Sequence, residues 1–161
     1  MKTLVVYATK NGATKVIAEE LCKNLKGETD IRNIRDKIPS IKDYDAVIVG
    51  GSIYMGKIQK GITSFLRRNK RALMDKKLGL FIGCYTPPDT EGYIDGFFDN
   101  ELLSHAKTSA ILGGIMQYDK MNFVYRKIFM SLKKIDDFNK NFIEPEISYE
   151  GIKEFTEVMN S

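Results

Sequence analysis

The sequence predicts a doubly wound α/β protein, with a five-stranded parallel sheet covered by helices on both faces. Three observations lead there. Short β-branched runs alternate along the chain with segments whose apolar residues recur at three and four. The runs are apolar throughout rather than at every second residue, as strands buried on both faces must be. Polar, glycine-bearing stretches follow the first and third runs, where a parallel sheet gathers its ligands, beyond the carboxyl ends of the strands.

Each element has its own signal. Lys2–Ala8 is continuously apolar from Leu4 and reads as the first strand. The period turns helical at Ala13, with Val16, Ile17, Leu21 and Leu25 on one face, and Gly27 stops that helix. Asp30–Ile34 is a short second strand and Asp45–Gly50 a third. Ile62, Phe65, Leu66 and Leu73 mark the second helix, and Leu78–Gly83 the fourth strand. A third helix is expected over Ile94–Ala106 and a fifth strand over Ser109–Met116. Helical patterns return at Met121–Ile135 and Tyr149–Met159. No repeat, low-complexity stretch or linker divides the chain, so residues 1–161 are expected to form one domain.

Composition narrows the class. With 43% hydrophobic and 29% charged residues the chain reads as an ordinary globular protein. No apolar run approaches the roughly 20 residues that span a bilayer, and the stretch from Leu4 to Ala8 is too short for a secretory core. A cytoplasmic location is expected. Cys22 and Cys84 fit no metal-ligand spacing. Cys22 falls on the apolar stripe of the first helix and reads as a small buried hydrophobe; Cys84 ends the fourth strand near the ligand end of the sheet. His105, the single histidine, closes a helix and is given no catalytic role.

The strongest motif is Thr9-Lys10-Asn11-Gly12-Ala13-Thr14, between a buried strand and a helix start. At a helix N-terminus the backbone amides lack partners and the dipole is positive, so an anion is welcome. Gly12 lets the backbone close round a phosphate, and Thr9, Asn11 and Thr14 add side-chain donors. Helix capping alone calls for one such residue, not three around a glycine. Other phosphate motifs are absent: there is no G-x-x-x-x-G-K-[ST], and no G-x-G-x-x-G after the first strand. A response regulator would need acidic residues where Thr9 and Gly50 stand.

At these residues the chain resembles the flavodoxin family, whose phosphate loop reads [ST]-x-[TN]-G-x-T after the first strand. The resemblance implies the strand order 2-1-3-4-5, an FMN cofactor, and an FMN phosphate held by Thr9, Asn11, Gly12 and Thr14 with the amides of Lys10 and Ala13 between them. It places a second loop, Gly51–Gln59, against the isoalloxazine ring. There Ser52, Ile53, Tyr54, Met55 and Gly56 are candidate contacts, Tyr54 as a stacking wall and Gly51 or Gly56 as a peptide that can turn with redox state. A third loop, Cys84–Tyr93, would supply the other wall through Cys84, Tyr85 and Thr86. No catalytic acid or base and no metal site is identified; the flavin would carry the chemistry.

Two features depart from an acidic electron shuttle. The net charge is +4, and an extra segment follows the fifth strand, Gly113–Asp119 and then a helix to Lys134. These, with Ser52-Ile53, Gly56, Gly113-Gly114, Tyr118 and Tyr125, are similar to the subfamily that includes the menaquinone-dependent protoporphyrinogen oxidases of heme biosynthesis. That similarity implies an FMN oxidoreductase passing electrons to a quinone. A soluble carrier working with a redox partner protein, and a flavin-free interaction domain, are the alternatives. Nucleic acid is not an expected partner. In the Met121–Ile135 helix, Met121, Val124, Tyr125, Ile128, Phe129, Leu132 and Ile135 form one apolar face, expected to be core or docking surface. Phe123 and Met130 stand opposite, among Arg126, Lys127, Lys133 and Lys134. This basic helix, 121–134, either touches an anionic membrane peripherally or packs Phe123 and Met130 under Asp136–Pro145.

Overall fold

A computed structural model describes residues 1–54, 56–84, 92–116 and 118–161. The elements in order are β1 (Lys2–Ala8), α1 (Ala13–Asn24), β2 (Glu28–Asn33), β3 (Ala46–Tyr54), β4 (Lys57–Ile58), α2 (Lys60–Met74) and β5 (Lys77–Gly83). They continue with α3 (Asn100–His105), β6 (Thr108–Ile111), α4 (Phe123–Leu132), α5 (Asp136–Asn141) and α6 (Tyr149–Asn160). The main sheet runs β2-β1-β3-β5-β6, all parallel. With the two-residue β4 set aside, this is the 2-1-3-4-5 order expected of a flavodoxin-like fold.

The two faces of the sheet carry separate cores, because alternate residues of a strand point opposite ways. On one face Leu4, Val6, Val47, Val49, Leu78 and Leu80 pack under α2 and the region of α3. On the other Val5, Tyr7, Ile48 and Phe81 pack under α1 and α6. Between the strands the fit is tight. A Cβ on Gly50 would lie 2.3 Å from the Phe81 ring, its register partner on β5. Cys22 is half-buried against the second core, and burial raises its thiol above the ordinary range.

Four expectations need correction. The third strand does not stop at Gly50: it continues to Tyr54 and folds back antiparallel on β4, Ile53 opposite Ile58 and Tyr54 opposite Lys57. The helix expected over Ile94–Ala106 is broken. A short 3-10 turn, Ile94–Gly96, precedes α3, whose start is fixed by the Asp99 carboxylate accepting from the amides of Glu101 and Leu102. The strand expected to reach Met116 ends at Ile111. Gly113, at φ +75°, turns the chain against the segment before α6, where a Cβ would come within 1.9 Å of the Glu146 carbonyl.

The last correction concerns the helix expected over Met121–Ile135. It spans only Phe123–Leu132, and its broad apolar face is not core: Phe129 alone is buried. Nor do Phe123 and Met130 pack under the following segment, being 78% and 49% exposed. Phe129 packs there instead, its ring 6.2 Å from that of Phe138 and 5.3 Å from that of Phe142. Both faces of the sheet are already covered by α1, α6, α2 and α3, so α4 finds no layer to join. Among the described residues no helix is long and apolar enough to cross a membrane.

Candidate functional site

The carboxyl ends of β1, β3 and β5 open into one cleft of about 190 Å³. β1 and β3 are neighbours in the sheet, yet the chain leaves them in opposite directions, to β2 on one side and β5 on the other. This change of direction is where a doubly wound sheet leaves a crevice.

The loop after β1 forms the floor of the cleft. Gly12 stands at φ +94° as the N-cap of α1, a left-handed conformation that glycine adopts freely. It brings no capping side chain, and no acidic residue occupies the first turn. The opening amides of α1 therefore have neither an intrahelical acceptor nor a side-chain cap. The Thr9 hydroxyl does not cap the helix; it accepts from the Gly12 amide at 2.8 Å and tightens the loop itself. Capping thus does not explain the motif.

Thr14 is the most telling residue of the loop. It is fully buried, and among the described residues its Oγ1 has no hydrogen-bond partner. A buried hydroxyl without a partner costs roughly 1–3 kcal/mol, so an orphan of this kind calls for an explanation. β5 encloses it: a Cβ on Gly83 would sit 3.2 Å from Thr14 Oγ1 and 3.1 Å from Ile17 Cδ1.

The far wall comes from the end of β3. Ser52 is clasped by Gln59, whose Oε1 accepts from the Ser52 amide at 3.0 Å while its Nε2 donates to the Ser52 hydroxyl. Gly51 permits that approach, since a Cβ there would fall 2.6 Å from Gln59 Oε1. Tyr54 stands at the strand's tip between two neighbours. Lys10 Nζ lies 3.2 Å from its ring centroid, and the Tyr125 ring from α4 lies 5.5 Å away at 39°. Cys84 closes the β5 side; burial pushes its thiol up to about 11, so it stays protonated at neutral pH.

Of the residues expected at the site, Thr9, Lys10, Asn11, Ala13, Thr14, Ser52, Ile53, Tyr54 and Cys84 do line the cleft. Gly12 shapes the loop without lining it. Gly56, at φ +71°, belongs to a different depression beside Lys57 and Phe97. Met55, Tyr85 and Thr86 lie outside the described residues. The sequence reading missed Gly83, Gly114, Ile115, Met116 and Pro145, which complete the lining. Pro145 arrives because Gly113 pairs with Ile147 and the Gly114 amide donates to the Glu146 carbonyl at 3.2 Å. The Gly113-Gly114 pair was the visible signal; its bridge partner Ile147, more than thirty residues on, carried none. No carboxylate or imidazole is among the described lining residues.

Comparison with known proteins agrees with this architecture. The Flavodoxin domain family matches residues 4–141. Protoporphyrinogen IX dehydrogenase (quinone) of Escherichia coli K12 is 25% identical over 146 residues, which cover 84% of this chain and 80% of the relative. A Lactobacillus acidophilus flavoprotein solved in complex with FMN superposes with a TM-score of 0.54 at 16% identity, over 68% of this chain and 92% of that one. The Streptococcus pneumonia TIGR4 flavodoxin gives 0.56 at 12% identity, over 99% and 97%. At such identities the two structures speak to the fold alone. The family match covers most of the chain, and on that ground the protein belongs to the flavodoxin-domain family.

Proposed function

We propose that the cleft binds FMN and that the protein is an oxidoreductase moving electrons through it. One observation carries the reading: an uncapped helix N-terminus, a buried hydroxyl and a half-buried tyrosine meet in one cleft where, among the described residues, the hydroxyl has no partner and the lining has no carboxylate. A phosphate monoester suits the first two, accepting from the α1 amides and from Thr14 Oγ1. Asn11 and the Thr9 hydroxyl, whose proton is uncommitted while its oxygen holds Gly12, complete the donor set. A flat aromatic ring suits Tyr54. The residues present therefore fit FMN.

The flavin, when bound, supplies the electron-transfer chemistry. The chain's own residues bind, orient and exclude. Lys10 has to leave the Tyr54 ring for another planar group to stack there, since its ammonium occupies that face. The described part of the cleft, about 190 Å³, is also smaller than the roughly 300–1,000 Å³ of ordinary ligand pockets, and moving Lys10 enlarges it. Gln59 holds Ser52 and so fixes the backbone beside the ring site. The Cys84 thiol keeps its proton and presents a neutral wall.

For the substrate, the reading that the E. coli relative supports is protoporphyrinogen IX, oxidised to protoporphyrin IX, with each electron pair and its protons passing to a separate quinone that becomes a quinol. The test combines titration with turnover. Flavin fluorescence should show FMN bound more tightly than riboflavin, and the loaded protein should oxidise protoporphyrinogen IX anaerobically only when a menaquinone analogue is present. Equal affinity for the two flavins would overturn the phosphate cradle. Tight FMN binding without turnover would overturn the substrate and leave the soluble electron carrier.

A further inference from the structure

We propose that the outer surface of α4 docks on an anionic membrane, with Val124, Ile128 and Leu132 entering the interface and the surrounding cations meeting the headgroups. Large apolar side chains exposed on this protein are not scattered. Of twelve with substantial exposure among the described residues, seven lie in Phe123–Ile135: Phe123, Val124, Tyr125, Ile128, Met130, Leu132 and Ile135. Single exposed hydrophobic residues need no account, but a contiguous group marks an interaction surface.

The charge on the same segment selects the partner. From Tyr118 to Phe142 there are six cations, Lys120, Arg126, Lys127, Lys133, Lys134 and Lys140, against three acids, Asp119, Asp136 and Asp137. The segment's net +3 is most of the chain's +4. Among the described residues none of the six joins an ion pair. Around the helix, Val124, Ile128 and Leu132 form a stripe at four-residue spacing, while Arg126 and Lys127 lie off it. An apolar stripe opposite cations is the arrangement of a helix lying in the plane of an anionic bilayer. A second copy of this chain would bring two +3 surfaces together, which like-charge repulsion opposes.

The helix is held in place for this task. Phe129 anchors it inward on Phe138, Phe142 and Tyr118, whose ring is 5.8 Å away. Tyr125 ties it to Tyr54 at the mouth of the cleft. Docking therefore puts the cleft at the bilayer surface. Together with the electron-transfer function proposed above, on which this step rests, that position admits an acceptor dissolved in the membrane.

Co-sedimentation of the full chain with vesicles decides the matter. Wild-type protein should pellet with phosphatidylcholine vesicles containing phosphatidylglycerol and stay behind with phosphatidylcholine alone. Lys127→Glu with Lys134→Glu should lower partitioning at least 25-fold, at about fivefold for each cation lost. Val124→Ser with Ile128→Ser should weaken binding at every salt concentration. Failure of wild-type protein to pellet with the anionic vesicles would overturn the proposal. So would a concentration-dependent dimer in sedimentation equilibrium that the serine variant dissolves. FMN titration of the same samples separates the two readings: vesicle binding lost with FMN binding intact removes the docking alone.

Discussion

Thr14→Val should make the flavin-free protein more stable and its complex with FMN weaker, a pair of opposite signs that few other roles for Thr14 would give. Valine keeps the shape and β-branching of threonine, so neither packing nor helix propensity changes much. In the flavin-free protein the substitution removes a buried hydroxyl that has no partner among the described residues. The penalty relieved is roughly 1–3 kcal/mol, and each kcal/mol raises Tm by about 2–4 °C in a protein of this size. In the complex the hydroxyl would donate to a charged phosphate oxygen. Such bonds are worth roughly 1.5–3 kcal/mol, so the FMN dissociation constant should rise about 10- to 150-fold. Riboflavin, lacking the phosphate, should bind as before. Differential scanning fluorimetry without flavin, and fluorescence titration with both flavins, give the required numbers. A lower Tm for the valine variant would show that Oγ1 serves the fold. A parallel fall in both affinities would show that it does not face the phosphate.

Three further outcomes are expected. Tyr54→Ala should raise the FMN dissociation constant by roughly 2- to 12-fold, the worth of an aromatic contact beyond its buried area, and should shift the flavin midpoint potentials; unchanged titrations and potentials would show that Tyr54 is not a wall of the site. Gly50→Ala, whose new methyl would meet the Phe81 ring at 2.3 Å, should cost about 1–3 kcal/mol by overpacking, read as a lower urea midpoint at unchanged slope. Tyr44→Phe should lose about 1 kcal/mol, because Tyr44 is buried and donates to Asp30 at 2.6 Å, a bond that nearby solvent partly screens. Burial, then the Asp30 bond, push the Tyr44 hydroxyl up from 10.0 to about 12. A raised folded-state value means that this stabilisation is complete below pH 10 and lost as the pH climbs toward 12. Urea melts of both proteins across that range should converge; a gap that stays constant would break the assignment.

Much of the site was legible because its signals are local. A buried run, a polar loop with one glycine and a helical period stand next to one another at residues 2–25, and the ladder between β1 and β3 follows from two apolar strands that share a core. What escaped was set by partners far along the chain. β3 runs on past Gly50 because Ile53 and Tyr54 pair with Ile58 and Lys57, and the polar and glycine residues there read as loop. Gln59 carries no signal of its own; its role depends on the Ser52 amide and hydroxyl, which the pairing of β3 with β4 brings near. Pro145 and Gly114 join the cleft through a bridge between Gly113 and Ile147 that no local pattern announces.

The helix at Phe123–Leu132 shows a different limit. Its three-and-four spacing is as regular as that of α2, yet α2 buries Ile62, Phe65, Leu66 and Leu73 while α4 buries Phe129 alone. Periodicity states which residues share a face; it is silent on whether a surface is left to receive that face. The sheet offers two, and α1 with α6, and α2 with α3, occupy them. A helix that has a place in neither layer either adds a layer or meets something outside the chain. Its Val124–Ile128–Leu132 stripe remains in solvent, where roughly 25 cal/mol is forgone for each Å² of apolar surface left wet. Val124 and Ile128 also have poorer helix propensity than alanine or lysine. Neither local preference nor the fold's own core accounts for apolar side chains at those positions. The docking proposed above would take them out of water, and the cations on the same segment suit an anionic surface.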